Sequence, residues 1–207
     1  KVAMDDSVEV WKKGWKYYDA KHTDAHPADT IYSIRNAMAV SSNIALAQIV
    51  TSGYKGSAKK FVQKLERMGL KDSVDYIIPG ADQAKILVPK DTVTISRMAY
   101  GYSVEMSPLQ VATFYNAIAN GGKMVKPMLY KGETEVINPQ IASKANIDSL
   151  QMALVHVVTE GLGKPAQSEK VQVAGFGGGF PISTEEDNSE GRINTVFSVG
   201  FCGYFPA

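Results

Sequence analysis

The sequence predicts an α+β fold with a central antiparallel sheet flanked by helices. Three observations carry that expectation. Apolar residues recur at helical spacing in several separate segments, each with its own start and stop signals. Two stretches near the C-terminus, 171–175 and 194–205, are rich in β-branched and aromatic residues and suit two neighbouring antiparallel strands. The chain has 207 residues, 44% hydrophobic and 21% charged, enough for one sizeable core. The expected organisation is one domain over 1–207, helical over about 28–122 and sheet-forming over about 123–207.

In order, Ser7 to Pro27 reads as an irregular surface excursion anchored by Trp11, Trp15, Tyr17 and Tyr18. His22 and His26 have the spacing of a helical metal pair. Pro27 follows at once and no third ligand is near, so exposed histidines are expected. From Thr30 to Thr51, Ile31, Ile34, Met38 and Ala39 precede the triplet Ser41-Ser42-Asn43, and Ile44, Leu46, Ala47 and Val50 follow it. Ser and Asn favour helix ends over helix interiors. The spacing therefore predicts two short buried helices joined by a polar corner. Gly56 to Gly69 is an amphipathic helix with Ser57 as N-cap and Gly69 just past its end. Lys71 to Asp91, with Pro79-Gly80 and Pro89, is mostly loop.

Ser107 and Pro108 start another helix, with Val111, Phe114, Tyr115 and Ile118 on its buried face and Gly121-Gly122 ending it. Lys123 to Asn138 suits an edge hairpin. Asn146 to Glu160 is helical, and its His156 reads as structural. Val171 to Gly175 is a short strand followed by the glycine-rich loop Phe176-Gly177-Gly178-Gly179. No Walker-type lysine accompanies that loop, so it carries no phosphate-binding signal. Thr184 to Glu190 reads as an acidic surface loop, and Asn194 to Phe205 as a buried strand pairing with 171–175.

Charge and cysteine content narrow the function. A formal net charge of +1 argues against the basic stripe of a nucleic-acid interface. No apolar run approaches the roughly 20 residues of a membrane span. The single cysteine, Cys202, leaves no intrachain disulfide and suits inert packing in a strand.

Three stretches in order resemble the transpeptidase domain of penicillin-binding proteins, most closely the class B enzymes of cell division and elongation. Ser41-Ser42-Asn43 is similar to the Ser-x-Asn signature of that family and of the serine β-lactamases. The segment 98–127, with Ser107-Pro108-Leu109-Gln110 and Asn120-Gly121-Gly122, resembles the Pro-Leu-Gln helix and Asn-Gly-Gly turn. Val171 to Gly175 resembles the strand leading into Lys-Thr-Gly. The likeness covers the chain from about Asp5 to Ala207 and implies the penicillin-binding transpeptidase and serine β-lactamase-like fold, here incomplete.

The resemblance implies a peptidoglycan D,D-transpeptidase acting through a serine acyl-enzyme, with no metal or cofactor. Its partners would be peptidoglycan stem peptides, β-lactam antibiotics and other cell-wall synthesis proteins. It would work at the extracytoplasmic face of a bacterial inner membrane, through an anchor upstream of this chain. Carried onto this sequence, Ser41 and Asn43 are catalytic, Ser42 and Gly175 are substrate-binding, and Lys1 is the lysine of Ser-x-x-Lys. No Ser-x-x-Lys is read within the chain, so its nucleophilic serine is expected to lie outside it. Phe176 to Gly179 stand where Lys-Thr-Gly is expected, and the connection at Tyr130-Lys131-Gly132 is shorter than the family's. Either the protein is a non-catalytic relative, or stretches of sequence are missing around these points. The second account is favoured, because family-like sequence stops at Gly175 and resumes by Arg192.

Overall fold

A computed structural model describes residues 3–70, 85–86, 91, 93–187 and 192–207, by backbone alone over 180–187 and 192–195. Lys1 and nearly all of the loop expected over 71–91 lie outside these residues. The elements are β1 (Ser7–Val10), β2 (Trp15–Tyr17), β3 (Ala20–His22), β4 (Thr30–Ser33), α1 (Ile34–Ala39), α2 (Asn43–Gly53), α3 (Ala58–Arg67) and β5 (Lys85–Ile86). They continue with α4 (Thr94–Met98), β6 (Val104–Glu105), α5 (Pro108–Ala119), β7 (Met124–Val125), β8 (Val136–Asn138), α6 (Lys144–Thr159), β9 (Ala174–Asp187) and β10 (Arg192–Tyr204). Among the described residues every ladder is two-stranded and antiparallel: β1 with β4, β2 with β3, β5 with β6, β7 with β8, and β9 with β10. The β9–β10 hairpin is the longest of these ladders, with α6 packed against β9 and α5 against β10.

Local chemistry explains the helix ends. Ser33, Ser42, Ser57 and Ser107 each accept a backbone N–H from the first turn of the helix they precede, satisfying donors that a helix start leaves orphaned. At α5 the bond is reciprocal: Ser107 Oγ accepts from Gln110 N–H and Gln110 Oε1 accepts from Ser107 N–H, a capping box. Gly69 follows the C-cap of α3 at φ +79°, the left-handed position that glycine fills at least cost.

Three apolar clusters hold these elements together. Ala117, Ile118, Met124, Ile147, Leu154 and Ala174 join α5, α6, β7 and β9. Val8, Val10, Ala37, Ile44 and Ala45 join β1, α1 and α2. Val62, Leu70, Ile86 and Met98 join α3, β5 and α4.

Several expectations are corrected. Ser7 to Pro27 is not an irregular excursion: it contains β1 and the β2–β3 hairpin, where Trp15 lies opposite His22. His22 is buried, not exposed, because it projects from β3 into the core against Trp15 and Tyr100. Val171 to Val173 precede the strand, which begins at Ala174. The glycine-rich stretch is strand rather than loop, with Phe176, Gly177, Gly178 and Gly179 opposite Cys202, Phe201, Gly200 and Val199. Residues 184–187, expected in an acidic loop, continue β9. The register shifts between Val196 and Phe197 next to Pro181, whose missing N–H suits a bulge. Finally, β10 is not a buried strand. Its Cys202 and Tyr204 are half-buried, but Phe197, Val199 and Phe201 are exposed, because nothing among the described residues covers that face.

Candidate active site

The polar corner between α1 and α2 is a tightly bonded turn. Ser42 N–H donates to Ala37 C=O at 2.9 Å and Ser41 N–H to Met38 C=O at 3.0 Å, the paired bonds of a Schellman motif. That motif needs a left-handed residue, usually glycine. Here it is Ser41, at φ +53°. A non-glycine residue in that region costs about 1–2 kcal/mol, so the hydroxyl is retained at the expense of stability, a pattern associated with functional positions.

The next two residues are fixed by a loop from far upstream in the chain. Ser42 Oγ accepts from Ala45 N–H at 3.1 Å and donates to Asp24 Oδ2 at 2.7 Å. The other Asp24 oxygen accepts from Ile44 N–H at 3.0 Å. Asn43 Nδ2 donates to Thr23 C=O at 3.2 Å. That bond leaves Asn43 Oδ1, an acceptor, without a hydrogen bond among the described residues.

Ser41 and Asn43 line a cleft of about 800 Å³. Its far wall is the β9–β10 hairpin, through Gly177 to Gly179, Phe197, Val199 and Phe201. Leu162, Gly163, Pro165 and Ala166, from the turn after α6, close one side. That turn is fastened to α1 by Leu162 N–H donating to Ala39 C=O at 2.9 Å. A Cβ on Gly161 would run into Ala39 C=O, so glycine is required there by close approach.

The predicted site residues divide. Ser41 and Asn43 are brought together on the cleft. Ser42 is not on it: it is 1% exposed and its hydroxyl is committed to Asp24. Gly175 is not on it either. It is buried beneath the Phe201 ring and beside Gly203, where a Cβ would have no room. Both therefore support the walls rather than face a ligand. Lys1 lies outside the described residues. The expected absence of Ser-x-x-Lys is corrected as to spacing, since Ser52–Lys55 and Ser57–Lys60 both have it. Neither lines the cleft: Ser52, Lys55 and Lys60 are exposed and Ser57 is the N-cap of α3.

The two histidines also part company. His22 bonds through Nδ1 to Tyr100 Oη at 2.7 Å, while its buried Nε2 has no hydrogen-bond partner among the described residues. Burial, assisted by Arg97, pushes its pKa below the ordinary value of 6.5 and favours the neutral ring. His26 instead lines the cleft beside Asn43. His156 donates from Nε2 to Asn36 Oδ1 at 2.8 Å, tying α6 to α1. On α5, away from the cleft lining, burial pushes the Tyr115 hydroxyl up to about 12. His26 is exposed as expected, but its place on the cleft, like the roles of Thr23 and Asp24, had no signal in the sequence, because no fixed spacing links them to the corner.

Comparison with known proteins settles the family. The penicillin-binding protein transpeptidase domain matches residues 1–207. The chain belongs to that family. It is 28% identical over 176 residues to penicillin-binding protein 3 of Bacillus subtilis (strain 168), covering 81% of this chain and 26% of the relative. Among solved structures it resembles the apo TP domain of Burkholderia pseudomallei penicillin-binding protein 3, with TM-score 0.83, 21% identity, and coverage of 99% of this chain and 61% of that one. It also resembles a putative peptidoglycan glycosyltransferase from Atopobium parvulum, with TM-score 0.80, 25% identity, and coverage of 98% and 49%. The fold is thus that of penicillin-binding transpeptidase domains, as the motifs implied. This chain spans about a quarter of the Bacillus protein and 49–61% of these solved structures.

Proposed function

We propose that the full-length protein is a class B peptidoglycan D,D-transpeptidase at the extracytoplasmic face of a bacterial inner membrane. The observation that supports this reading is the shared cleft, with Ser41 and Asn43 on one wall and the glycine-rich edge of β9 on the other. A serine hydroxyl is a weak nucleophile until a neighbouring base takes its proton. In this reading the base is a lysine whose pKa is lowered by burial or nearby charge. Ser41 relays the proton towards the leaving D-alanine amine. Asn43, with one N–H held by Thr23, offers its free Oδ1 to an ammonium or to a substrate N–H. Backbone N–H groups of the nucleophile and of β9 stabilise the oxyanion. The acyl group then passes to the amine of a second stem peptide, and β-lactams trap the same serine.

A second reading, a non-catalytic β-lactam sensor or a scaffold for cell-wall synthesis proteins, draws on one observation. Phe176 to Gly179 occupy the place of Lys-Thr-Gly, so the lysine and hydroxyl of that motif are missing there. Covalent capture of a fluorescent penicillin by the full-length protein separates the two. The transpeptidase reading expects a stable adduct. Absence of any adduct, where a related transpeptidase forms one, overturns it in favour of the sensor. Fast turnover of a chromogenic β-lactam would instead point to a β-lactamase.

A further inference from the structure

We propose that Asp24 is a positioning residue for this site, holding the α1–α2 corner in the shape that turns Ser41 and Asn43 to the cleft. The inference rests on the reading of that cleft as a transpeptidase site, and it adds a residue that no signature of the family supplies. Asp24 comes from the loop between β3 and β4 and uses both carboxylate oxygens on the corner, one on Ser42 Oγ–H and one on Ile44 N–H. Hydrogen bonds to an ionised carboxylate are roughly twice as strong as neutral ones. A negative charge at the start of the eleven-residue α2 also opposes the positive end of the helix dipole.

The arrangement works through Ser42. Its one O–H proton goes to Asp24 and its oxygen receives Ala45 N–H, so the residue between Ser41 and Asn43 has no freedom left. Neither Asp24 nor Ser42 lines the cleft, while the residues on either side of Ser42 do. The neighbouring Thr23 carbonyl sets the Asn43 amide. The loop that carries both is itself anchored at its two ends. His22 is bonded to Tyr100 Oη at 2.7 Å, and Asp29 Oδ1 accepts from Lys12 N–H at 2.9 Å. The loop is therefore a brace against which the corner is set.

Asp24→Asn is the informative substitution, because it keeps shape and removes charge. Its Oδ1 can still accept from Ile44 N–H, but an NH₂ then faces the Ser42 hydroxyl and cannot accept its proton. In the full-length protein we expect the limiting rate of acylation by a fluorescent penicillin to fall about 10–100-fold, with non-covalent affinity within about threefold. Asp24→Glu should recover part of the rate. Ser42→Ala combined with Asp24→Asn should be no slower than the worse single variant, since both break one bond. Hydrogen exchange should rise at least about tenfold at the Ile44 and Ala45 amides and stay unchanged at Ile118 and Val157. Wild-type acylation in Asp24→Asn, or losses that multiply in the double variant, would overturn the proposal. If the wild-type protein forms no adduct, the transpeptidase reading fails alone. Unaltered exchange at Ile44 and Ala45 would then still defeat the positioning role.

Discussion

The two walls of the cleft are built on opposite terms. On the α1–α2 wall, Ser42 and Ile44 are each 1% exposed, and the turn is bonded to two helices and an upstream loop. On the β9–β10 wall, Phe197 is 59% and Val199 79% exposed. The strand opposite them is glycine at three successive positions. The first wall is held by enclosure, so its geometry is set before any ligand arrives. The second is held by its backbone ladder, and its side chains remain available for contact. A site made this way places exact positioning on one side and adaptable apolar surface on the other.

Ile44 tests the enclosed wall most directly. Its side chain belongs to the cluster of β1, α1 and α2, and its N–H is one of the two groups held by Asp24. Truncating a buried isoleucine costs about 2–5 kcal/mol through lost transfer energy and the cavity left behind. Ile44→Ala in the full-length protein should lose about 3 kcal/mol by chemical denaturation. A loss under about 1 kcal/mol would mean that the corner is loosely packed and the contrast between the walls is false.

Ser41, on the same wall, should give a smaller effect of opposite sign. Ser41 is in the left-handed position of a Schellman turn, where glycine avoids the Cβ penalty. Ser41→Gly should raise stability by about 0.5–1 kcal/mol after the entropy cost of glycine is subtracted. It should also depress acylation, the trade expected where a strained residue is kept for function. Loss of stability in this variant would show that the hydroxyl serves the fold instead.

What was legible in the sequence follows the range of the forces involved. Ser57, Ser107 and Gly69 announced their helix ends because capping involves residues only a few positions apart. The Ser41-Ser42-Asn43 corner was legible for the same reason. Asp24 was not, because its bonds to Ser42 and Ile44 span a loop, the strand β4 and the helix α1, and no periodicity encodes them. The roles of Ser42 and Asn43 could not be separated by composition either; only the turn decides which of them faces the cleft. The glycines after Gly175 suggested a loop by local propensity. Pairing with β10 overrode that preference, since strand tendency depends chiefly on cross-strand neighbours.

The least costly change should be on the hairpin wall. Val199 lies opposite Gly179, and its Cγ1 would be the nearest atom to a Cβ built there, at 3.1 Å. Its remaining surface is open to the cleft. Surface substitutions away from caps, buried networks and special backbone positions usually stay within about 0.5 kcal/mol. Val199→Ala in the full-length protein should fall in that range, and the β9–β10 ladder should persist because its bonds are main-chain. A loss approaching that of Ile44→Ala would mean that this face is covered by another part of the protein. The hairpin would then be a second enclosed wall, and the cleft would owe its shape to packing on both sides.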